Sequence, residues 1–177
     1  PPSIFQAVTS ITTTGFDTTP TAGLEETDKL FTTALMIIGG GTGSTAGGVK
    51  IFRILILLGF IRVSFFRTLL PKEAKLPLGF GGIEVNNEEA ESIASFFISY
   101  LLIMFISTLT IMWIEDFNFI DTLFEVASAE GTVGLSVGIT SPNLNIVSKL
   151  ILIMNMWIGR LEILPVLVVF YPKIWTR

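Results

Sequence analysis

Residues 30–66 read LFTTALMII-GGGTGSTAGG-VKIFRILILLGFIRVSFF. Leu30 to Ile38 is apolar, and so is Val49 to Phe66 apart from the embedded Lys50, Arg53 and Arg62. Between them stand Gly39-Gly40-Gly41-Thr42-Gly43-Ser44-Thr45-Ala46-Gly47-Gly48, which no single helix accommodates. In hydrocarbon, each backbone group left without a hydrogen-bond partner costs several kcal/mol, so irregular backbone at that depth survives only inside protein or along a water-filled cavity. Small residues also permit close helix packing, but ten in succession exceed what packing needs. The break predicts an intramembrane loop beside an aqueous path.

The whole composition agrees. Half of the 177 residues are hydrophobic and 15% are charged, against about a quarter in soluble domains. The apolar residues lie in long blocks, the mark of a membrane protein. There is no cysteine and no histidine, which excludes disulfides, thiol catalysis, Ser-His-Asp catalysis and haem ligation by histidine within the chain. Lys50, Arg53, Arg62, Arg67, Lys72 and Lys75 cluster in 50–75. Acids dominate the other connections: Asp17, Glu25, Glu26 and Asp28, then Glu115, Asp116, Asp121, Glu125 and Glu130. Flanked by apolar blocks, the basic cluster reads as the cytoplasmic side of a multi-pass protein of the cell membrane rather than as a nucleic-acid surface. The chain opens on Pro1-Pro2 and reads as a piece of a longer product.

The order of elements repeats. Ser3 to Ile11 is too short to span a bilayer as a helix, and it ends in Thr12-Thr13-Thr14-Gly15-Phe16. The broken span follows. Arg67 to Glu91 is polar, with Pro71, Pro77 and several glycines, and reads as a cytoplasmic connection. Ser92 to Ile114 carries no charge and is the clearest transmembrane helix. Asp121 to Ala129 is again short and leads into Glu130-Gly131-Thr132-Val133-Gly134-Leu135-Ser136; a last apolar element, Ile146 to Tyr171, holds Arg160 and Glu162, with Trp175 as an interface anchor. The expected fold is an all-α integral membrane protein of repeated helix, pore-helix, filter-loop and helix units. One repeat over 1–66 lacks its first helix, a connection fills 67–91, and a complete repeat occupies 92–177. Repeats of this scale place a pore or transport site at their interface.

Thr13-Thr14-Gly15 and Thr132-Val133-Gly134 carry the chemistry. Rings of backbone carbonyls replace the hydration shell of potassium in channels, with TVGYG as the known loop, and glycine allows the necessary backbone turn. A short helix aiming its partly negative C-terminal end at a cavity favours a cation further. Either tripeptide alone is weak, and the bland alternative is a pair of helix-terminating turns; two copies in matching context are the stronger signal. Arg160 and Glu162, midway along the last span, are costly there and two positions apart do not face each other. Arg160 reads as a pore barrier below the filter and Glu162 as structural. Asp17 and Glu130, beside the two loops, are either cation-attracting charges at the mouth or solvated loop charges.

These residues resemble the Trk/Ktr/HKT superfamily of potassium transporters: Thr13-Thr14-Gly15-Phe16, the run Gly39 to Lys50, and Gly159-Arg160-Leu161-Glu162-Ile163-Leu164-Pro165-Val166-Leu167. Such a subunit has four repeats, of which this chain resembles the third, without its first helix, and the fourth. The resemblance implies that Gly15 and Gly134 are filter glycines associated with potassium preference, that Gly39–Gly48 is the gating loop, and that Arg160 projects into the pore. It implies K⁺ as the transported ion, with no organic cofactor. It further implies a homodimer in membrane lipid, the two remaining repeats, and a cytosolic nucleotide-binding regulatory subunit of the TrkA/KtrA kind contacting Arg62 to Glu91. The run Gly131 to Ser136 is closer to Ktr-like members. The rival classes are a broken-helix cation symporter coupled to sodium or protons, an intramembrane enzyme, which lacks paired carboxylates at a catalytic spacing, and a purely structural subunit, which leaves Arg160 unexplained.

Overall fold

The computed structural model describes residues 2–69, 79–80, 83–84 and 86–161. Six helices dominate: α1 (Pro2–Ile11), α2 (Glu26–Ile38), α3 (Ile51–Leu69), α4 (Asn87–Ile114), α5 (Phe119–Glu130) and α6 (Ile146–Leu161). A single 3₁₀ turn, Thr21–Gly23, precedes α2. The connection adds one feature to the expected helical fold, a two-residue antiparallel pair of β1 (Gly79–Phe80) and β2 (Ile83–Glu84), with Gly79 opposite Glu84. Glu162, Trp175, residues 70–78 and the rest of the last apolar element lie outside the described residues.

α4 is the one helix among the described residues long and apolar enough to cross a membrane, over Glu88–Ile114. At about 1.5 Å per residue it reaches roughly 40 Å. It starts before the uncharged run because Glu88 and Glu89 occupy its first turn, where carboxylates face the positive end of the helix dipole. Phe96, Tyr100, Met104, Thr108 and Ile111 form its buried stripe, at helical spacing, while Ile98, Leu102, Phe105, Leu109 and Trp113 lie on the outside.

The short helices are inside out. α1 buries Gln6, Thr9 and Ser10 and exposes Ile4, Phe5 and Val8. α2 buries Lys29, Thr32 and Thr33 beside Met36 and exposes Leu30 and Phe31. A helix in water does the reverse, so these outer faces are built for apolar surroundings. By contrast α5 lies against α2, α4 and α6 and is buried continuously from Phe124 to Glu130. Its Asp121 accepts an ion pair at 2.7 Å from Lys29 of α2, whose side chain is 10% exposed. This contact ties α2 to α5 near their N-terminal ends. Met36, Phe124, Val126, Ala127, Val133, Leu135 and Leu152 form the main core around α5.

Asp121, Glu125 and Glu130, grouped with the connections on sequence grounds, instead stand in α5. A run interrupted by an acid every four or five residues looks polar in sequence, yet its remaining positions supply enough apolar surface for burial.

Candidate functional site

The Thr13 and Thr132 loops are built alike. Thr13 and Thr132 both have φ of 52°, and Gly15 and Gly134 have φ of 80° and 95°, while Thr14 and Val133 between them keep negative φ. The helix ends match bond for bond. The amide of Thr12 donates to the Val8 carbonyl as that of Gly131 does to Ala127, and the amide of Thr14 donates to Thr9 as that of Val133 does to Ser128. Left-handed backbone is disfavoured for threonine, so its occurrence at equivalent positions in two loops marks a shared purpose. Both loops lie side by side: a Cβ on Gly15 would overlap the carbonyl oxygen of Val133.

The Gly-rich break is a loop between α2 and α3, folded back under these two segments. Its backbone groups find partners: Val49 N–H donates to the Ile37 carbonyl at 2.9 Å and Ile51 N–H to Gly40 at 3.0 Å, so the frayed end of α2 is recapped by the returning chain. Gly39, Gly40, Gly47 and Gly48 are buried, whereas Gly41 to Thr45 are exposed. At the centre of the contact, Gly47 N–H donates to the Thr13 hydroxyl at 2.9 Å, and a Cβ on Gly47 would overlap the Gly131 carbonyl. Gly47 therefore touches the base of both threonine loops.

Arg160, near the end of α6, donates from Nη1 to the carbonyl of Thr45 at 2.7 Å. Its side chain is exposed, and it lines a cavity of about 350 Å³ together with Ser44, Lys50, Phe96 and Gly159. Gly159 packs directly on the end of α5, where a Cβ would collide with the Glu130 carbonyl. Thus α6 meets the second threonine loop and the Gly-rich loop with successive residues.

Glu130 is neither a mouth charge nor a solvated one. It is 0% exposed, and both its carboxylate oxygens lack a hydrogen-bond partner. Asp17 is exposed, as a loop charge would be. Glu125 escaped the sequence reading: it is buried, and its Oε1 accepts from Ser136 Oγ at 2.8 Å and Thr140 N–H at 3.2 Å, and also from the Thr140 hydroxyl, while Oε2 accepts from Val137 N–H at 3.1 Å. The only sequence signal for it was an acid within the short apolar stretch before the second loop.

The family model for TrkH, described as cation transport protein, matches residues 2–177. A cation transporter of Methanocaldococcus jannaschii described as uncharacterized is 33% identical, over 95% of this chain and 35% of its own. The Trk system potassium uptake protein TrkH of Escherichia coli is 33% identical over 99% of this chain and 36% of its own, and the Ktr system potassium uptake protein B of Bacillus subtilis is 36% identical over 90% and 34%. The crystal structure of the potassium transporter TrkH from Vibrio parahaemolyticus superposes with a TM-score of 0.84 at 28% identity, over 97% of this chain and 37% of that one. The chain thus spans about a third of the length of the relatives it matches. With the family model matched from the first short helix to the C-terminal residue and the helical architecture shared with a membrane transporter, the chain belongs to the TrkH family of cation transport proteins.

Proposed function

We propose that this chain supplies two of the filter segments of a potassium-uptake pore, with Thr13, Thr14, Gly15, Thr132, Val133 and Gly134 offering backbone carbonyls to a dehydrating K⁺. The observation that carries this reading is the matched pair of loops, alike in φ and in hydrogen bonding, and adjacent in space. Alternating signs of φ along a short segment turn successive carbonyls towards one side, the arrangement a cation site needs. Each loop follows its own short helix, α1 or α5, which a broken-helix symporter does not call for. Uptake needs no chemistry within the chain, since an inside-negative potential contributes about 2.3 kcal/mol per charge per 100 mV.

In this reading Gly39 to Gly48 is the gate, docked in a closed position. Gly47 abuts the threonines at the inner end of the filter, and Arg160 latches the loop through Thr45 while placing a positive charge in the path of the ion. The remaining repeats, a second copy in a homodimer and a nucleotide-binding regulatory subunit on the cytoplasmic face around 67–91 complete the proposal. The basic residues of 50–75 support an inside position for that face.

The test is uptake of radiolabelled rubidium and sodium into proteoliposomes holding the full-length parent protein, with Gly134→Ser alongside. Rubidium uptake displaced by potassium, with the preference over sodium lost in the variant, is expected. Unchanged selectivity in a folded variant would remove the filter from 132–134.

A further inference from the structure

Aligning Thr13 with Thr132 and Gly15 with Gly134 sets Gln6 of α1 opposite Glu125 of α5, Thr9 opposite Ser128, and Thr21 opposite Thr140. The Thr9 and Ser128 carbonyls accept equivalent loop amides, from Thr14 and Val133, but the side-chain bonding at these positions differs. Behind the second loop Ser128 Oγ accepts from Gly134 N–H at 3.2 Å, and the Glu125 carboxylate gathers Ser136, Val137 and Thr140. Behind the first loop Gln6 and Thr9 are just as buried, yet Gln6 Oε1, Gln6 Nε2 and Thr9 Oγ1 have no partner. Thr21, the counterpart of Thr140, turns its hydroxyl away from its own short helix to the Ser136 carbonyl of the other repeat. The first loop therefore leans on a second loop that is itself held from behind.

From this asymmetry we propose that Glu125 is a positioning residue for ion selectivity: it fixes the chain that leaves the second filter segment, Ser136 to Thr140, and through Ser136 and Thr21 it also steadies the first. The inference rests on the filter reading above and identifies which of the two segments sets its width. Only a carboxylate satisfies this site. Its two oxygens accept from opposite sides, Oε1 from Ser136 and Thr140 and Oε2 from Val137, and bonds to an ionised acceptor are the strong ones. A glutamine of the same shape would set an NH₂ against either the Val137 N–H or the Thr140 N–H, leaving a buried donor unsatisfied. At Gln6 no such demand exists, because no donor faces it.

The experiment compares Glu125→Gln, Gln6→Ala and Gly134→Ser in the full-length parent protein in proteoliposomes, at matched amounts of folded protein. It reads the ratio of rubidium to sodium uptake rather than uptake alone; a merely structural residue lowers both fluxes together. Glu125→Gln is expected to reduce the ratio about tenfold, the effect of one unsatisfied charge-assisted bond, and Gln6→Ala to leave it within about twofold. If Glu125→Gln does not fold, Thr140→Val removes one donor to Oε1 and is expected to shift the ratio about threefold in the same direction. An unchanged ratio in the Glu125 and Thr140 variants, with Gly134→Ser still losing preference, overturns the inference and leaves the filter reading standing. An equal loss in Gln6→Ala overturns the asymmetry. No change in any of the three variants overturns the filter reading and this inference with it.

Discussion

The amide nitrogen of Gly47 lies 2.9 Å from the hydroxyl oxygen of Thr13 and donates to it. One hydrogen bond thus joins the Gly-rich break between α2 and α3 to the loop that follows α1. The approach requires glycine, since any Cβ at 47 would overlap the Gly131 carbonyl and press on the Thr132 hydroxyl. Overpacking of this kind costs about 1–3 kcal/mol. Gly47→Ala is therefore expected to weaken the docked position of the loop and raise the initial rate of rubidium uptake, by about tenfold where the docked state limits flux. A folded variant with unchanged or slower uptake would mean that the loop is not the barrier.

Arg160 holds the same loop from the other side, through the Thr45 carbonyl at 2.7 Å. A guanidinium reaches a carbonyl with a rigid fork, whereas a lysine offers one mobile ammonium. Arg160→Gln removes the charge and leaves an amide donor; Arg160→Lys keeps the charge and loosens the geometry. If charge in the path of the ion dominates, uptake rises several-fold in the glutamine variant and little in the lysine variant. If the latch dominates, the two rise alike. A fall in both, at normal abundance, would remove Arg160 from the closed-state barrier.

Gly15 and Gly134 occupy equivalent left-handed positions but have different surroundings. A Cβ at Gly15 meets the Val133 carbonyl, whereas at Gly134 it meets open space within this chain. A side chain at either position pays for the left-handed backbone, about 1–2 kcal/mol; at Gly15 a steric clash is added. Gly15→Ser is thus expected to cost more rubidium uptake than Gly134→Ser, with selectivity over sodium falling in both. The reverse order, measured at equal abundance, would contradict the side-by-side packing of the two loops.

Much of this architecture was legible in the sequence because membrane burial leaves few solutions. A run of ten small residues in an apolar span had to be a loop, and Gly39–Lys50 forms one closed by the Val49 amide on Ile37 and the Ile51 amide on Gly40. Thr-x-Gly after a short apolar stretch pointed to both loops, and Thr13 and Thr132 have the same φ. What was hidden depends on partners distant in the chain. Glu125 looked like one more acid in a connection because its partners, Ser136 to Thr140, reach it only once the second loop has folded back over α5. The inside-out faces of α1 and α2 were hidden for a related reason: polar Gln6, Thr9 and Lys29 point inward only because neighbouring elements of the same chain enclose them.

Glu130 tests how far polar burial here serves the fold. Its carboxylate is sealed within the chain at the junction of α5 with the second threonine loop, with no donor to either oxygen, while Gly159 of α6 packs on its backbone carbonyl. Tyr100 of α4, an electrostatic neighbour of Glu130, has an equally unpartnered hydroxyl. A buried carboxyl without donors costs free energy that an apolar side chain of the same length does not. Glu130→Met is therefore expected to raise the Tm of the full-length protein in detergent by a few degrees, with the rubidium-to-sodium ratio little changed. A lowered Tm would mean that the carboxyl carries a favourable interaction, such as an enclosed water or cation shared with Tyr100. In that case Tyr100→Phe should lower the Tm in the native background and have no further effect once Glu130 is replaced.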